Sequence, residues 1–386
     1  MRRLPVALAV LAHTVVDASQ NILPVVLPLL LVRFQLSYSQ VGLAAALLNI
    51  SSSLIQPLFG WVSDRWPTRW FMPVGVAWTG ILMCLVGLVP NYLTLLLVIV
   101  LTGVGTAAFH PVASMSVALV SGSKRGLGMS LFSAGGNLGF AIGPVMAAGL
   151  VTRFDLPGTV AVVVPGLIMA GAMYVWRDEF AAPSAVRGSH APSAGDCIPW
   201  GRLSTLCALI TLRSWGYTGL ITFIPLLLHE QGVSLQVAGR LLFVFLFFGA
   251  LGGLVGGYLS DRVGRHQVIA ASLLAFPILM AIALVVSGPL QGFFLAIAGA
   301  TLLASFSVTV VFAQDLLPHH LGLASGLTLG LAFGAGGVGV GVSGVLADAV
   351  GLRASVGILL ALPGIAGVLA LMLSPGRRGD APKRGA

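Results

Sequence analysis

Charged side chains are scarce in this chain: Asp, Glu, Lys and Arg together make up 8% of its 386 residues, against roughly a quarter in soluble domains. Too little polar surface remains to clothe a soluble globule, which excludes that class. Cysteine is scarce too. Cys84, Cys197 and Cys207 stand at no metal-ligand spacing and make no even disulfide framework, so free thiols are expected. No nucleophile, base and acid arrangement is legible, nor a metal cluster or a phosphate-cradling loop, so no enzyme, cofactor, metal or ATP requirement is implied. Gly339, Gly341 and Gly344 do spell G-x-G-x-x-G. That pattern binds dinucleotides only after a strand and ahead of an acidic residue, and here it lies inside an apolar run.

What the chain has in quantity is apolar length. Hydrophobic residues make up 57% and the mean hydropathy is +1.01. Runs of about 20 residues recur, each able to cross ~30 Å of hydrocarbon as a helix. The spans fall at about 6–32, 39–61, 70–89, 92–118, 127–151, 158–176, 203–228, 236–259, 267–287, 289–314, 322–347 and 354–373. The fold class is therefore an all-α membrane protein of twelve transmembrane helices. Most of the 50 glycines lie within these runs, where small residues let helices approach closely. Arg2 and Arg3 precede a stretch that continues to Val32, which reads as the first span rather than a signal peptide.

A polar stretch at 177–201 separates six spans from six. The expected organisation is an N-terminal half at 1–176, this linker, a C-terminal half at 202–376 and a basic tail at 377–386. If the N-terminus is cytoplasmic, fifteen Lys and Arg fall in cytoplasmic segments, against Arg33, Arg153, Arg240 and Arg353 on the other side. That bias places both termini and the linker in the cytoplasm, and it accounts for the net charge of +9 without nucleic acid. A shift of 197 residues superposes Pro28 on Pro225, Ser37 on Ser234, Gly42 on Gly239, Gly60 on Gly257, Asp64 on Asp261 and Arg65 on Arg262. Parallel repeats of this kind belong to transporters and put the substrate site between the halves near the midplane.

Each half carries one turn between its second and third spans, Gly60-Trp61-Val62-Ser63-Asp64-Arg65 and Gly257-Tyr258-Leu259-Ser260-Asp261-Arg262-Val263-Gly264-Arg265. The turns resemble the major facilitator signature G-x-x-x-D-R-x-G-R, and the resemblance covers essentially the whole chain. It implies two pseudo-symmetric six-helix halves and a cytoplasmic gate formed by Asp64, Arg65, Asp261, Arg262, Arg265 and Asp315. The first copy departs from the signature at Pro67 and Thr68. Phe109-His110-Pro111, Gln314-Asp315-Leu316-Leu317-Pro318 and Gly322-Leu323-Ala324-Ser325-Gly326 resemble the fosmidomycin-resistance branch of drug:proton antiporters. That branch implies export of small, often anionic compounds against protons. The branch's arginine ahead of Gly103 and Gly105 is replaced by Ile99, so no mechanism built on it carries over. Gly139, Gly143 and Pro144 resemble the G-x-x-x-G-P antiporter element, a spacing that plain helix packing also produces.

Ionisable groups inside hydrocarbon cost at least ~2.5–3.5 kcal/mol each and persist where they face a cavity or a partner. Asp17 lies near the middle of span 1, and His13, four residues earlier, shares its helix face. Gln20 and Asn21 extend that polar stripe. Arg213 sits at similar depth in span 7, the repeat counterpart of span 1, and His110 lies in the cytoplasmic half of span 4. Asp17, His110 and His13 are the candidates for proton coupling. Arg213, Asp17, Gln20, Asn21, Phe109, Trp215 and Tyr217 are those for substrate. A structural Asp17–Arg213 pair is the competing reading of the two charges, and Asp348 reads as a solvated residue near the extracytoplasmic end of span 11. Trp66, Trp70 and Trp200 fit interface anchors.

The expected function is proton-coupled efflux of a small anionic or zwitterionic solute by alternating access. An uptake symporter, an uncoupled facilitator and a non-transporting receptor are the alternatives. The expected partners are that solute, protons and the lipid of a cytoplasmic (inner) membrane, with the monomer as the working unit.

Overall fold

The computed structural model describes residues 1–63, 70–180, 199–317 and 321–373. Asp64, Arg65 and Trp66, most of the linker with Cys197, Pro318 and the 377–386 tail lie outside the described residues. Every regular element among those described is helical, and 11 helical stretches are long and apolar enough to cross a membrane, with Phe71–Gly87 as a shorter companion. The protein is an all-α, multi-pass membrane protein with the twelve-span plan read from its sequence.

Span 1 consists of α1 (Arg3–Gln20) and α2 (Leu23–Phe34), and span 2 of α3 (Tyr38–Leu54) and α4 (Gln56–Ser63). Span 3 is α5 (Phe71–Cys84) with a 3-10 turn, span 4 is α6 (Tyr92–Ser121), and span 5 is α7 (Arg125–Phe154). Span 6 is a 3-10 stretch (Leu156–Val162) followed by α8 (Val163–Val175). Spans 7 to 12 are α9 (Trp200–Glu230), α10 (Leu235–Val263), α11 (Arg265–Val285), α12 (Pro289–Leu316), α13 (Leu321–Val350) and α14 (Leu352–Leu371).

Spans 1 and 2 were expected to be continuous, and both are broken. Pro24, in the first turn of α2, has no N–H to return to Gln20, and Pro57 has none for Ser53, so each helix yields just before its proline. The first break falls directly after the polar stripe. The internal repeat is visible in local chemistry as well. Ser37 caps α3 in a reciprocal box with Gln40, and its counterpart Ser234 caps α10 through the Val237 N–H. Gly264 takes φ 113° between α10 and α11, a conformation that L side chains rarely adopt, which explains a glycine at that signature position.

Contacts between the halves run from α3 to α13, from α7 to α10 and from α2 to α9. Close approach of α3 and α13 depends on Gly344, where a Cβ would stand 2.3 Å from the Tyr38 carbonyl oxygen. At the same end the Asp348 carboxylate accepts hydrogen bonds from the backbone N–H of Tyr38 (2.8 Å) and Ser39 (2.9 Å), and one from the Ser39 hydroxyl. The Tyr38 hydroxyl donates to Glu230 of α9. Asp348 is therefore not a bystander in solvent, as its position suggested; it caps the N-terminus of α3 from across the molecule, where an anion meets both free N–H groups and the favourable end of the helix dipole. Toward the terminus side, Gly330 and Gly334 of α13 meet nothing within 4 Å and Leu54 of α3 is exposed. These contacts join the halves on the side away from the termini.

Candidate transport site

Asp17 is 2% exposed and lies between two imidazoles. His13 Nε2 approaches Asp17 Oδ2 at 3.2 Å, and His110 Nε2 approaches Oδ1 at 3.1 Å. The far nitrogen of each ring is also engaged: His13 Nδ1 meets the Phe132 carbonyl at 2.8 Å, and His110 Nδ1 meets the Thr106 carbonyl at 3.0 Å. Phe132 stacks on His13 with ring centroids 4.0 Å apart, and the two histidine rings meet edge to face at 4.9 Å. The cluster is thus oriented from both sides, with its carboxylate oxygens divided between the two rings.

Helix packing makes room for this cluster. A Cβ on Gly136 would stand 2.5 Å from His13 Nε2 and 2.8 Å from Asp17 Oδ2, and one on Gly139 would stand 2.3 Å from the Thr14 carbonyl oxygen. Gly143 presses on Ala18 and Asn21 in the same way. The glycines of the G-x-x-x-G-P element therefore bring α7 onto the polar face of α1, and Asn21 Nδ2 donates to the Phe140 carbonyl (2.6 Å) across that contact. Apolar Ala9, Ala12, Val16, Met72, Phe109 and Phe132 belong to one buried cluster on this side.

Arg213 is 3% exposed in α9. Its Nη2 donates to the Ser214 hydroxyl (3.3 Å), its guanidinium lies 4.8 Å from the centre of the Phe306 ring, and its Nε has no hydrogen-bond partner. A cation over an aromatic face is favourable, but that contact does not satisfy the remaining N–H. The Asp17–Arg213 pair is not formed in this structure, since the histidines hold the carboxylate and Ser214 holds the guanidinium. Tyr217 lies within electrostatic range of both charges. The repeat shift maps Asp17 onto Ser214, so each half places a polar residue at this depth.

The remaining candidates divide. Gln20 is buried beside Asn21. Phe109, which could line the cavity or pack in the core, is fully buried and packs 5.5 Å from His110 and 6.1 Å from His13, centroid to centroid. Its role here is to pack the cluster. Trp215 donates through Nε1 to Ser343 Oγ at 2.8 Å and so ties α9 to α13. On the terminus side Arg265 forms an ion pair with Asp315 and donates to the Val311 carbonyl (2.9 Å), the partnership expected of the second latch. Arg262 covers the Tyr258 ring at 4.4 Å, and Asp261 ends the same helix. Ile99, in place of the branch's arginine, is completely buried. Trp70 and Trp200 are exposed, at 47% and 69%, as interface anchors would be.

Sequence reasoning missed Phe306, Ser214, Gly136 and the carbonyls of Thr106 and Phe132. The 197-residue shift was a signal for Ser214; the others come together only in the folded chain. His13, Asp17 and His110 have donor atoms within 4.8 Å of one another although no metal-ligand spacing was legible. Their short contacts are hydrogen-bond distances, and no metal role is assigned.

Comparison with known proteins agrees with this architecture. The Major Facilitator Superfamily pattern matches residues 9–205 and 206–386. The chain belongs to the Major Facilitator Superfamily. It is 32% identical to the fosmidomycin resistance protein of Escherichia coli (strain K12), over 96% of this chain and 92% of that protein. It is 36% identical to the MFS-type transporter YfnC of Bacillus subtilis (strain 168), over 94% and 91%. A solved bacterial homolog of the human lysosomal transporter Spinster, inward-facing and occupied, superposes with a TM-score of 0.80 at 17% identity and 96% coverage of both chains. This superfamily member is thus a membrane transporter and not an enzyme, and its fold is the major facilitator fold.

Proposed function

We propose that this transporter exports a small anionic or zwitterionic organic compound in exchange for protons, working as a monomer in a bacterial cytoplasmic membrane with both termini inside. The observation that carries the reading is the pair of buried groups, a carboxylate held by two imidazoles in α1 and α6 and a guanidinium with an unused N–H in α9. The kinship with a fosmidomycin resistance protein supports the export direction and an anionic cargo.

The chemistry follows from the charges. An incoming anion completes the hydrogen bonding of Arg213, a strong interaction in a water-poor site. A deprotonated Asp17 would compete for that guanidinium; a proton-loaded cluster would not. This competition links anion binding to protonation of the cluster; export in exchange further requires protons to load from outside and anion from inside in alternate states of the cavity, and that direction is supported by the kinship above.

The test uses inside-out membrane vesicles with an acidified lumen and a panel of labelled phosphonates, sulfonates and carboxylates, beginning with fosmidomycin. Accumulation that depends on the pH difference and disappears in Asp17→Asn is expected. Uptake confined to right-side-out vesicles would replace export by symport. Flux indifferent to pH and intact in Asp17→Asn would leave an uncoupled facilitator.

A further inference from the structure

We infer that the His13, Asp17 and His110 cluster takes up two protons together, one on the Nε2 of each ring. The inference deepens the proton-coupled reading above and rests on it for its place in a transport cycle, but the count itself comes from hydrogen positions that the geometry requires. A backbone carbonyl has no hydrogen to give. Because Nδ1 of His13 faces the Phe132 carbonyl and Nδ1 of His110 faces the Thr106 carbonyl, each Nδ1 must carry the proton of its contact, and each ring has only Nε2 left as a basic atom.

Both Nε2 atoms face carboxylate oxygens, and they face different ones, Oδ2 at 3.2 Å and Oδ1 at 3.1 Å. Carboxylate oxygens without protons accept only. With neither Nε2 protonated, lone pairs would confront lone pairs at both contacts. One added proton, wherever it sits, makes one of the two contacts a hydrogen bond and leaves the other repulsive. Two protons satisfy both. The arrangement seen here is therefore the doubly loaded one, with net charge +1, and the empty cluster carries −1.

Little else nearby can supply those hydrogens. Helices α5 and α8, packed against α1, contain no Asp, Glu, His, Lys or Arg, and α7 has charged residues only toward its ends, facing the cluster with Phe132 and Gly136. From α9 Tyr217 lies within electrostatic range of Asp17 and of Arg213, and from α6 His110 itself is the titratable group. Loss of both protons would free Asp17 from its rings and leave a bare carboxylate buried in α1.

The experiment is nitrogen NMR of the full-length protein in lipid nanodiscs, uniformly labelled at its 7 histidines, titrated without any solute. His13→Gln and His110→Gln assign the two rings. The expected result is two imidazoles that keep Nδ1 protonated at every pH, against the Nε2–H form usual for free neutral rings, and that each gain a proton on Nε2. Gly136→Ala, which intrudes on His13 Nε2, should remove one of these two proton uptakes and leave the other. A neutral Nε2–H form at either ring, or a single proton shared by the two, would overturn the inference. The wild-type spectrum alone decides the tautomers should a variant misfold. The count is made on resting protein, so two protons without pH-driven flux would refute the export reading and keep this one, and coupled flux with one proton would do the reverse.

Discussion

Replacing Asp348 with alanine should shift the transporter toward states open on the side away from its termini. The carboxylate adds to the Ser37 cap of α3, accepting from the Tyr38 and Ser39 N–H groups and from the Ser39 hydroxyl across the interface between halves. Loss of a helix cap costs roughly 0.5–2 kcal/mol and loss of a charge at a helix N-terminus about 0.3–1 kcal/mol. Asp348 is exposed, so screening puts the combined effect at about 1–2 kcal/mol rather than the sum of the upper values. That corresponds to a roughly 5- to 30-fold change in the ratio of the two states. The assay is pulsed electron resonance between spin labels at Arg153→Cys and Gln236→Cys, near the outer ends of α7 and α10, with Cys84, Cys197 and Cys207 replaced by serine. A second, longer distance population should appear in Asp348→Ala, grow further with Tyr38→Phe, which removes the donor to Glu230, and be absent from the background protein. Distance distributions unchanged by both substitutions would refute the clasp and leave the glycine contacts as the closure of that side.

Other expectations concern the opposite end and the buried charges. Arg213→Gln should abolish anion binding, measured by calorimetry with fosmidomycin and simple phosphonates, while leaving the thermal midpoint equal or higher, because a buried and incompletely paired cation is a cost to folding. Arg265→Ala should change thermal stability by no more than about 1 kcal/mol, since its pair with Asp315 is partly exposed, yet it should make cysteines on the terminus side more accessible to labelling. Gly143→Leu should lose function outright in a flux assay and lower the thermal midpoint, because a Cβ there already meets the Ala18 carbonyl oxygen at 2.6 Å.

The twelve spans were legible because apolar length is a property of contiguous residues, and the ion pair of Arg265 with Asp315 could be anticipated because the signature turn supplies Arg265 and Asp315 ends span 10 on the same side. Buried Asp17 and Arg213 could be singled out by the cost of charge in hydrocarbon. Their partners could not. His110 stands 93 positions from Asp17, and Tyr38 stands 310 positions from Asp348, so only helix packing shows that the carboxylate belongs to two histidines and that an outwardly placed aspartate is a clasp. Periodicity put His13 and Asp17 on one face, but nothing in it foretold that Gly136 would leave room for their contact. The break after Gln20 was written in Pro24, yet a proline in a transmembrane run is compatible with a continuous kinked helix as well, and the choice is made by packing around Asn21.

The central claim is that proton and anion sites are coupled through Asp17 and Arg213. The most direct measurement is the release or uptake of protons, read by a pH indicator in weakly buffered solution, on adding fosmidomycin and a series of small phosphonates to the purified protein, wild type beside Asp17→Asn and Arg213→Ala. Proton uptake triggered by anion binding in the wild type, as the anion takes Arg213 from Asp17, and lost in both variants is the predicted result. Anion binding with no proton exchange, unchanged in Asp17→Asn, would contradict the account and return the cluster to a structural role.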